Sequence, residues 1–239
     1  MKFRRYDLRS MVLRVLPIET LYDSELCGIP LFHGTDSFLL KLPDEARQML
    51  RMACFTVIDY AYPIMQSHGV GKMRRNDPNG IFGKEQYRIL DAYTCASGLM
   101  DGNKWYQYDS FYVTANPDKA LSYARRSYIF GELGYIADSL LTGLDTLNWS
   151  YTDVTDQQRE AINIIRTVTS TIVPNPVVLM YIGIPKSQIK DENGEEVNWE
   201  QRLDLFLNGI NEGSFRIIGN FDISEGNIID LDSIPTIDK

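Results

Sequence analysis

Phe111-Tyr112-Val113-Thr114-Ala115-Asn116-Pro117-Asp118-Lys119-Ala120-Leu121-Ser122-Tyr123 is a strand handing over to a helix. Four β-prone residues, Phe111–Thr114, are followed by Asn116 as a cap, Pro117 just inside the helix and Asp118 in its first turn. The stretch puts Tyr112 on the strand and Tyr123 in the helix, eleven residues on. Two phenol rings so placed are able to clamp a flat polar ligand. Taken alone, Tyr112 reads as a packed strand residue, and Tyr123 as part of the helix face that carries Ala120 and Ala124.

Upstream, the apolar run Ile29–His33 ends at Gly34, giving Phe32-His33-Gly34-Thr35. A histidine beside a glycine and a hydroxyl suits the edge of a polar pocket, since glycine allows close backbone approach. Pro43, Asp44 and Glu45 open a helix whose apolar positions, Ala46 to Ala61, recur at three- and four-residue spacing. Pro63 is expected to end or kink it. The reading continues with a strand at Met11–Leu16, helices over Lys84–Ser97 and Gly131–Leu144, and a capping box at Thr155-Asp156-Gln157-Gln158 that opens another helix. Strands follow at Val177–Ile184, Phe215–Ile218 and Asn227–Leu231, with a polar stretch at Lys186–Val197 and a short helix from Asn198. Strands interleaved by long insertions make an α+β fold. Residues 1–239 read as one domain, with 1–28 a leading segment and 69–110 an insertion.

The chain has 239 residues, 44% of them hydrophobic, enough for a substantial core. A net charge of −8 argues against broad nucleic-acid binding, which needs Lys and Arg against phosphates. Three scattered cysteines, Cys27, Cys54 and Cys95, have neither metal-ligand nor disulfide spacing, which suits a reducing compartment. No run approaches the ~20 apolar residues of a membrane span. The first residues lack an unbroken apolar core and make a poor signal peptide. The expectation is therefore a cytoplasmic protein, or one delivered into a host cytoplasm. Asn148-Trp149-Ser150 fits a glycosylation sequon, which chance explains in a protein of that kind.

Together, Phe32–Thr35, Phe111–Thr114, the step to Tyr123 and a late Glu before a strand resemble the ADP-ribosyltransferase superfamily. The branch is the His-Tyr-Tyr-Glu one, which includes diphtheria-like toxins and poly(ADP-ribose) polymerases. The resemblance implies a split β-sheet core with helical insertions and NAD as co-substrate; the sequence itself offers no His-Glu-x-x-His or paired-cysteine motif, so no metal is expected. It further implies a mono-ADP-ribosyltransferase, a glycosyltransferase that cleaves the nicotinamide–ribose bond and passes ADP-ribose to a macromolecular acceptor, a protein foremost. By the same analogy such an enzyme suits a toxin or effector. Gly34 would pair with the nicotinamide carboxamide through its backbone. His33 would bond a hydroxyl on the adenosine side, Thr35 would support the turn or the ligand, and Tyr112 and Tyr123 would sandwich the nicotinamide ring. Glu212, just before Phe215–Ile218, would stabilise the oxocarbenium-like ribose. Here the chain departs from the family pattern: strand register places the family's acid nearer Ser214, and a bulge at Gly213 is needed to bring Glu212 in. Glu225 is a distant second candidate. Trp199, Glu200 and the acids Asp191, Glu192, Glu195 and Glu196 would lie where the family contacts its acceptor.

Two other readings keep the same pocket. An NAD glycohydrolase would pass ADP-ribose to water, and an inactive transferase-fold module would bind NAD, ADP-ribose or a protein partner. Gly69-Val70-Gly71-Lys72 lacks the leading Gly and trailing Ser/Thr of a phosphate loop and is set aside. His68-Gly69-Val70 lacks the Thr and reads as a cap or loop. Arg74-Arg75 and Arg125-Arg126 offer charge for a pyrophosphate, although paired arginines are ordinarily surface residues.

Overall fold

The computed structural model describes residues 24–100, 111–126, 131–219 and 226–230, with Leu8 and Tyr22. The Met11–Leu16 strand, most of the leading segment and Glu225 lie outside them. The fold is α+β, and it divides into two compact units, Met1–Thr35 with Tyr108–Arg126 and Pro176–Lys239, and Asp36–Gln107 with Ser127–Asn175. The 69–110 stretch, read from sequence as an insertion, falls largely in the second unit.

The first unit holds a six-stranded sheet. Its strands are β1 (Leu31–Asp36), β2 (Phe111–Thr114), β3 (Pro176–Tyr181), β4 (Ile189–Asp191), β5 (Ser214–Ile217) and β6 (Asn227–Ile229), in the spatial order β4-β5-β2-β1-β3-β6. β2 pairs antiparallel with β5 along its whole length, from Phe111↔Ile217 to Thr114↔Ser214. The β1–β2 register is a single antiparallel pair, Phe32↔Thr114. The expected strand at 177–184 stops at Tyr181 because Gly183 adopts φ +77°; beyond it the chain pairs with 25–27 instead, through Cys27 N–H to the Ile184 carbonyl at 2.7 Å. β4 was hidden in the polar Lys186–Val197 stretch. Asp191 builds its turn there by accepting from the Asn193 and Glu195 amides, and those bonds hold its carboxyl below the usual range.

The second unit is helical: α1 (Ser37–Lys41), α2 (Asp44–Ser67), α3 (Gln86–Met100), α5 (Gly131–Thr146) and α6 (Asp156–Thr171). α4 (Pro117–Arg126), which precedes α5 in the chain, belongs to the sheet unit. The short α1 was missed from sequence; buried Asp36 caps it, accepting from Phe38 N–H at 2.8 Å and from Asn175 N–H at 2.7 Å. α2 does not end at Pro63. The ring is exposed, and so is Asp59, whose carbonyl loses its helical partner to the proline; water can satisfy that carbonyl, and the helix runs on to Ser67. Most of the expected apolar stripe of α2 (Leu50, Ala53, Cys54, Val57, Ile58, Ala61) is buried and Met65 extends it, but Met49, expected on the same face, is 61% exposed, and Ala46 is only partly buried. α5 comes close where it lacks a side chain: a Cβ on Gly143 would stand 2.5 Å from Met65 Cε and 3.0 Å from Ile89 Cγ2. α6 opens with the expected capping box, Thr155 and Gln158 each bonding the other's backbone amide.

Candidate functional site

Strand alternation sorts the side chains of β1 and β2 onto the two faces of the sheet. Directly paired residues share a face, so Phe32↔Thr114 puts Phe32, Gly34, Tyr112 and Thr114 on one side. His33, Thr35, Phe111 and Val113 lie on the other. An independent contact agrees: the His33 and Phe111 rings are 4.2 Å apart, and Phe111 meets Tyr181 edge-on at 5.6 Å.

His33 is partly buried on that second face, and its Nδ1 lies 2.8 Å from the Tyr112 carbonyl oxygen. A carbonyl only accepts, so Nδ1 carries the hydrogen and donates it. Burial pushes the imidazole pKa down to about 4, partly opposed by that hydrogen bond. At neutral pH His33 is therefore uncharged, with Nε2 as a bare acceptor. It suits a ligand hydroxyl that donates. It does not suit an anion.

Gly34 lies under α4. A Cβ there would fall 1.8 Å from the Ala120 carbonyl oxygen and 2.8 Å from the Ala124 amide nitrogen. Its missing side chain is thus explained first by helix seating, a reason for glycine that sequence reading did not supply. The same seating fixes Tyr123, which is 46% exposed on α4 beside the buried Ala120 and Ala124. α4 begins as expected, with the Asn116 side chain accepting from Lys119 N–H at 3.1 Å. Tyr112, Gly34 and the helix carrying Tyr123 therefore share one face. The His33 imidazole is on the opposite face and touches Tyr112 only through its backbone. Thr35 is buried, 4% exposed.

The late acid lies at the end of the neighbouring strand. β5 starts at Ser214, paired with Thr114, and Gly213 just before it has φ +124°, a conformation that favours glycine. The Gly213 carbonyl accepts from Thr114 Oγ1 at 2.8 Å and from Ala115 N–H at 3.1 Å, which anchors the turn to β2. Glu212, one residue further out, is exposed and lies beyond the ladder. Ser214, the position where strand register expects the acid, receives a hydrogen bond from Lys119 Nζ at 2.7 Å. This lysine was passed over in the sequence reading; its one signal was the place it holds in the first turn of the helix after Tyr112.

Trp199 and Arg202 belong to α7 (Trp199–Leu207), capped by Asn198. Both lie against Phe215: the Trp199 ring stacks at 6.0 Å, and the Arg202 guanidinium carbon is 5.6 Å from the Phe215 ring centroid. Asp191 ends β4, and Glu196, just beyond the turn that follows it, pairs with Lys190 of the strand. Arg74 and Arg75 are in the helical unit, and Arg75 is engaged by Asp91 and lies over Tyr87. Arg125 is exposed, and the side chain of Arg126 lies outside the described residues.

Among the described residues no group of three or more His, Cys, Asp or Glu side chains could hold a metal ion, and no helix is long and apolar enough to cross a membrane. The chain matches no protein-family model, and comparisons with curated proteins and with solved structures gave no match.

Proposed function

We propose that the chain is a mono-ADP-ribosyltransferase with an ADP-ribosyltransferase-like core, using NAD as co-substrate and a macromolecule as acceptor. The observation that carries this reading is an adjacency. Three segments singled out from positions 32, 111 and 212 form or abut three neighbouring strands, β1, β2 and β5, and the helix bearing Tyr123 sits on the Gly34 of the first. Nothing in the spacing of those segments along the chain requires that.

In this reading Tyr112 and Tyr123 hold the nicotinamide ring on the face where Gly34 seats α4, while His33 and Thr35, expected at the ligand, lie on the opposite face of the sheet and are not assigned to it. The C–N glycosidic bond breaks with its electron pair going to the nicotinamide nitrogen. Glu212 stabilises the cationic ribose, and the acceptor's nucleophile closes on the anomeric carbon and gives up its proton. The test is Glu212→Gln. Transfer of label from NAD to a macromolecule should vanish while NAD affinity, measured by calorimetry, stays within about twofold. Unimpaired transfer removes Glu212 from the mechanism, and label released as free ADP-ribose would make the enzyme a glycohydrolase.

One observation favours a second reading, an inactive module that binds NAD, ADP-ribose or a protein partner. Lys119 places an ammonium on Ser214, where the reaction calls for negative charge beside the ribose. Binding of NAD with no turnover in the unaltered protein would establish it.

A further inference from the structure

Lys119 stands in the first turn of α4, and its ammonium donates to Ser214 Oγ at 2.7 Å. Among the described residues it meets no carboxylate, whereas Arg47, Arg75, Arg88, Arg166 and Lys190 each do. The registers fix the face this pair occupies. Ser214 is opposite Thr114, and Thr114 opposite Phe32; Arg216 is opposite Tyr112, which by the same register is opposite Gly34. Lys119 therefore reaches the face that holds Tyr112 and Gly34. Ser214 lies two residues along β5 from the partner of Tyr112, about 7 Å away.

Neither of these two rows of paired residues contains an acid. Lys190 continues the Tyr112 row beyond Arg216, and Glu196 engages it. Arg216 is buried, and the turn after β4 lies against it: a Cβ on Gly194 would fall 2.1 Å from its Nη2. Arg216 adds positive potential but is covered, which leaves partly buried Lys119 as the cation a bound group can reach. Glu192 and Glu195 of the same turn are exposed, so acids border this face.

The proposed reaction makes two demands of its acceptor side. Negative charge must stand beside the ribosyl cation, and a neutral nucleophile must hand its proton to a base. Lys119 supplies neither, and Glu212 is committed to the ribose. An ionised acceptor meets both demands, because it brings its own negative charge and gave up its proton beforehand. The Lys119 ammonium then holds that acceptor and offsets repulsion from Glu212.

We infer that the acceptor is a single Asp or Glu carboxylate on a protein segment, taken by Lys119 and flanked there by basic residues that suit the bordering acids. The inference rests on the transferase reading above and names its substrate class. A carboxylate oxygen bonds to the anomeric carbon as the C–N bond breaks, and the electron pair of that bond neutralises the nicotinamide ring. The product is a glycosyl ester, and no proton moves. A nucleic acid, with a charge on every phosphate, is repelled by the bordering acids and by a net charge of −8.

The test uses the full chain, NAD labelled in its adenylate half, and blocked glycine–lysine peptides that differ at one central position: glutamate, glutamine or serine. The glutamate peptide should take label that neutral hydroxylamine, which cleaves esters, releases. The other two should take about 10- to 100-fold less. Lys119→Met should shift the partition of NAD between the glutamate peptide and water about tenfold or more towards water, and Lys119→Arg should shift it less. A partition counts only turnovers of folded protein, so lost stability does not move it. Label that favours glutamine or serine, or that resists hydroxylamine, overturns the inference, as does an unmoved partition in Lys119→Met. Label on a phosphate-ended single-stranded oligonucleotide in preference to the glutamate peptide overturns the carboxylate assignment. NAD consumed with no peptide labelled makes water the acceptor and sinks the inference alone. NAD left intact with every peptide and with water sinks the transferase reading, and the inference with it.

Discussion

Gly34→Ala separates two reasons for the same glycine. If the residue is glycine so that a ligand can approach the strand, a methyl group there should spoil binding and spare the fold. The geometry says the fold suffers first. The added Cβ would lie 1.8 Å from the Ala120 carbonyl oxygen, about half a normal van der Waals separation, with the Ala120 carbonyl carbon at 2.7 Å and the Ala124 nitrogen at 2.8 Å. All three are backbone atoms, so no side-chain rotation relieves the contact, and α4 must lift from β1. Overpacking costs about 1–3 kcal/mol when side chains can adjust, so about 3 kcal/mol is the expected loss here. For a chain of this size that is a fall in melting temperature of roughly 6–12 °C. Equilibrium urea unfolding of the two proteins, followed by circular dichroism, measures the difference directly. A loss under about 0.5 kcal/mol would refute the argument, most sharply if NAD affinity had collapsed meanwhile. Gly34 would then be a ligand residue and the seating of α4 incidental.

Three further outcomes are expected. His33 is neutral in the fold and titrates near 4, against 6.5 for a free imidazole, so the unfolded chain binds more protons between those values. Its contribution is whole above about pH 6.5 and is lost as pH falls towards 4, by at most about 3 kcal/mol; urea melts at pH 7 and 4.5 should show a smaller drop for His33→Gln, and equal drops would exclude His33 as the source. Thr155→Ala removes one half of the capping box on α6 and should cost about 1 kcal/mol, with Gln158→Ala adding less than its own separate loss because the two bonds are reciprocal. Arg88→Met breaks a partly buried set of contacts to Asp138 and Ser139 and should cost about 1–2 kcal/mol, whereas Arg47→Met, whose partner Asp44 is almost fully exposed, should stay within about 0.5 kcal/mol.

Periodic and capping signals in the sequence carried far. The stripe on α2, the Asn116 cap of α4 and the capping box of α6 are local codes, and each appears where its residues place it, exposed Met49 excepted. The misses are also physical. Pro63 breaks one backbone bond, but an exposed carbonyl can be satisfied by water, so the helix continues. β4 is three residues of a Lys- and Glu-rich stretch; it exists because β5 offers an edge and Asp191 builds a turn, neither visible as hydrophobic alternation. α1 depends on Asp36 and Asn175, remote in sequence. At the candidate site the sequence indicated the residue types and the strand–helix step around Tyr112. It was silent on facing. Alternation sends the His33 side chain away from Tyr112, and that follows only from the register Phe32↔Thr114, a tertiary fact. Lys119 was overlooked for a related reason: its partner Ser214 comes from a strand nearly a hundred residues later.

The order in which the strands are made has a consequence of its own. β1, β2 and β5 are neighbours in space, yet two long helical excursions and then a hairpin separate them in synthesis. A growing chain can set its helices early from local contacts, whereas β2 must wait for β5 to complete its ladder. Until the ribosome has passed Ile217, the strand carrying Tyr112 has one flank open, and the turn holding Glu212 has no partner to be anchored against. The sheet therefore closes only after β5 is made, and whatever it binds must wait for that strand.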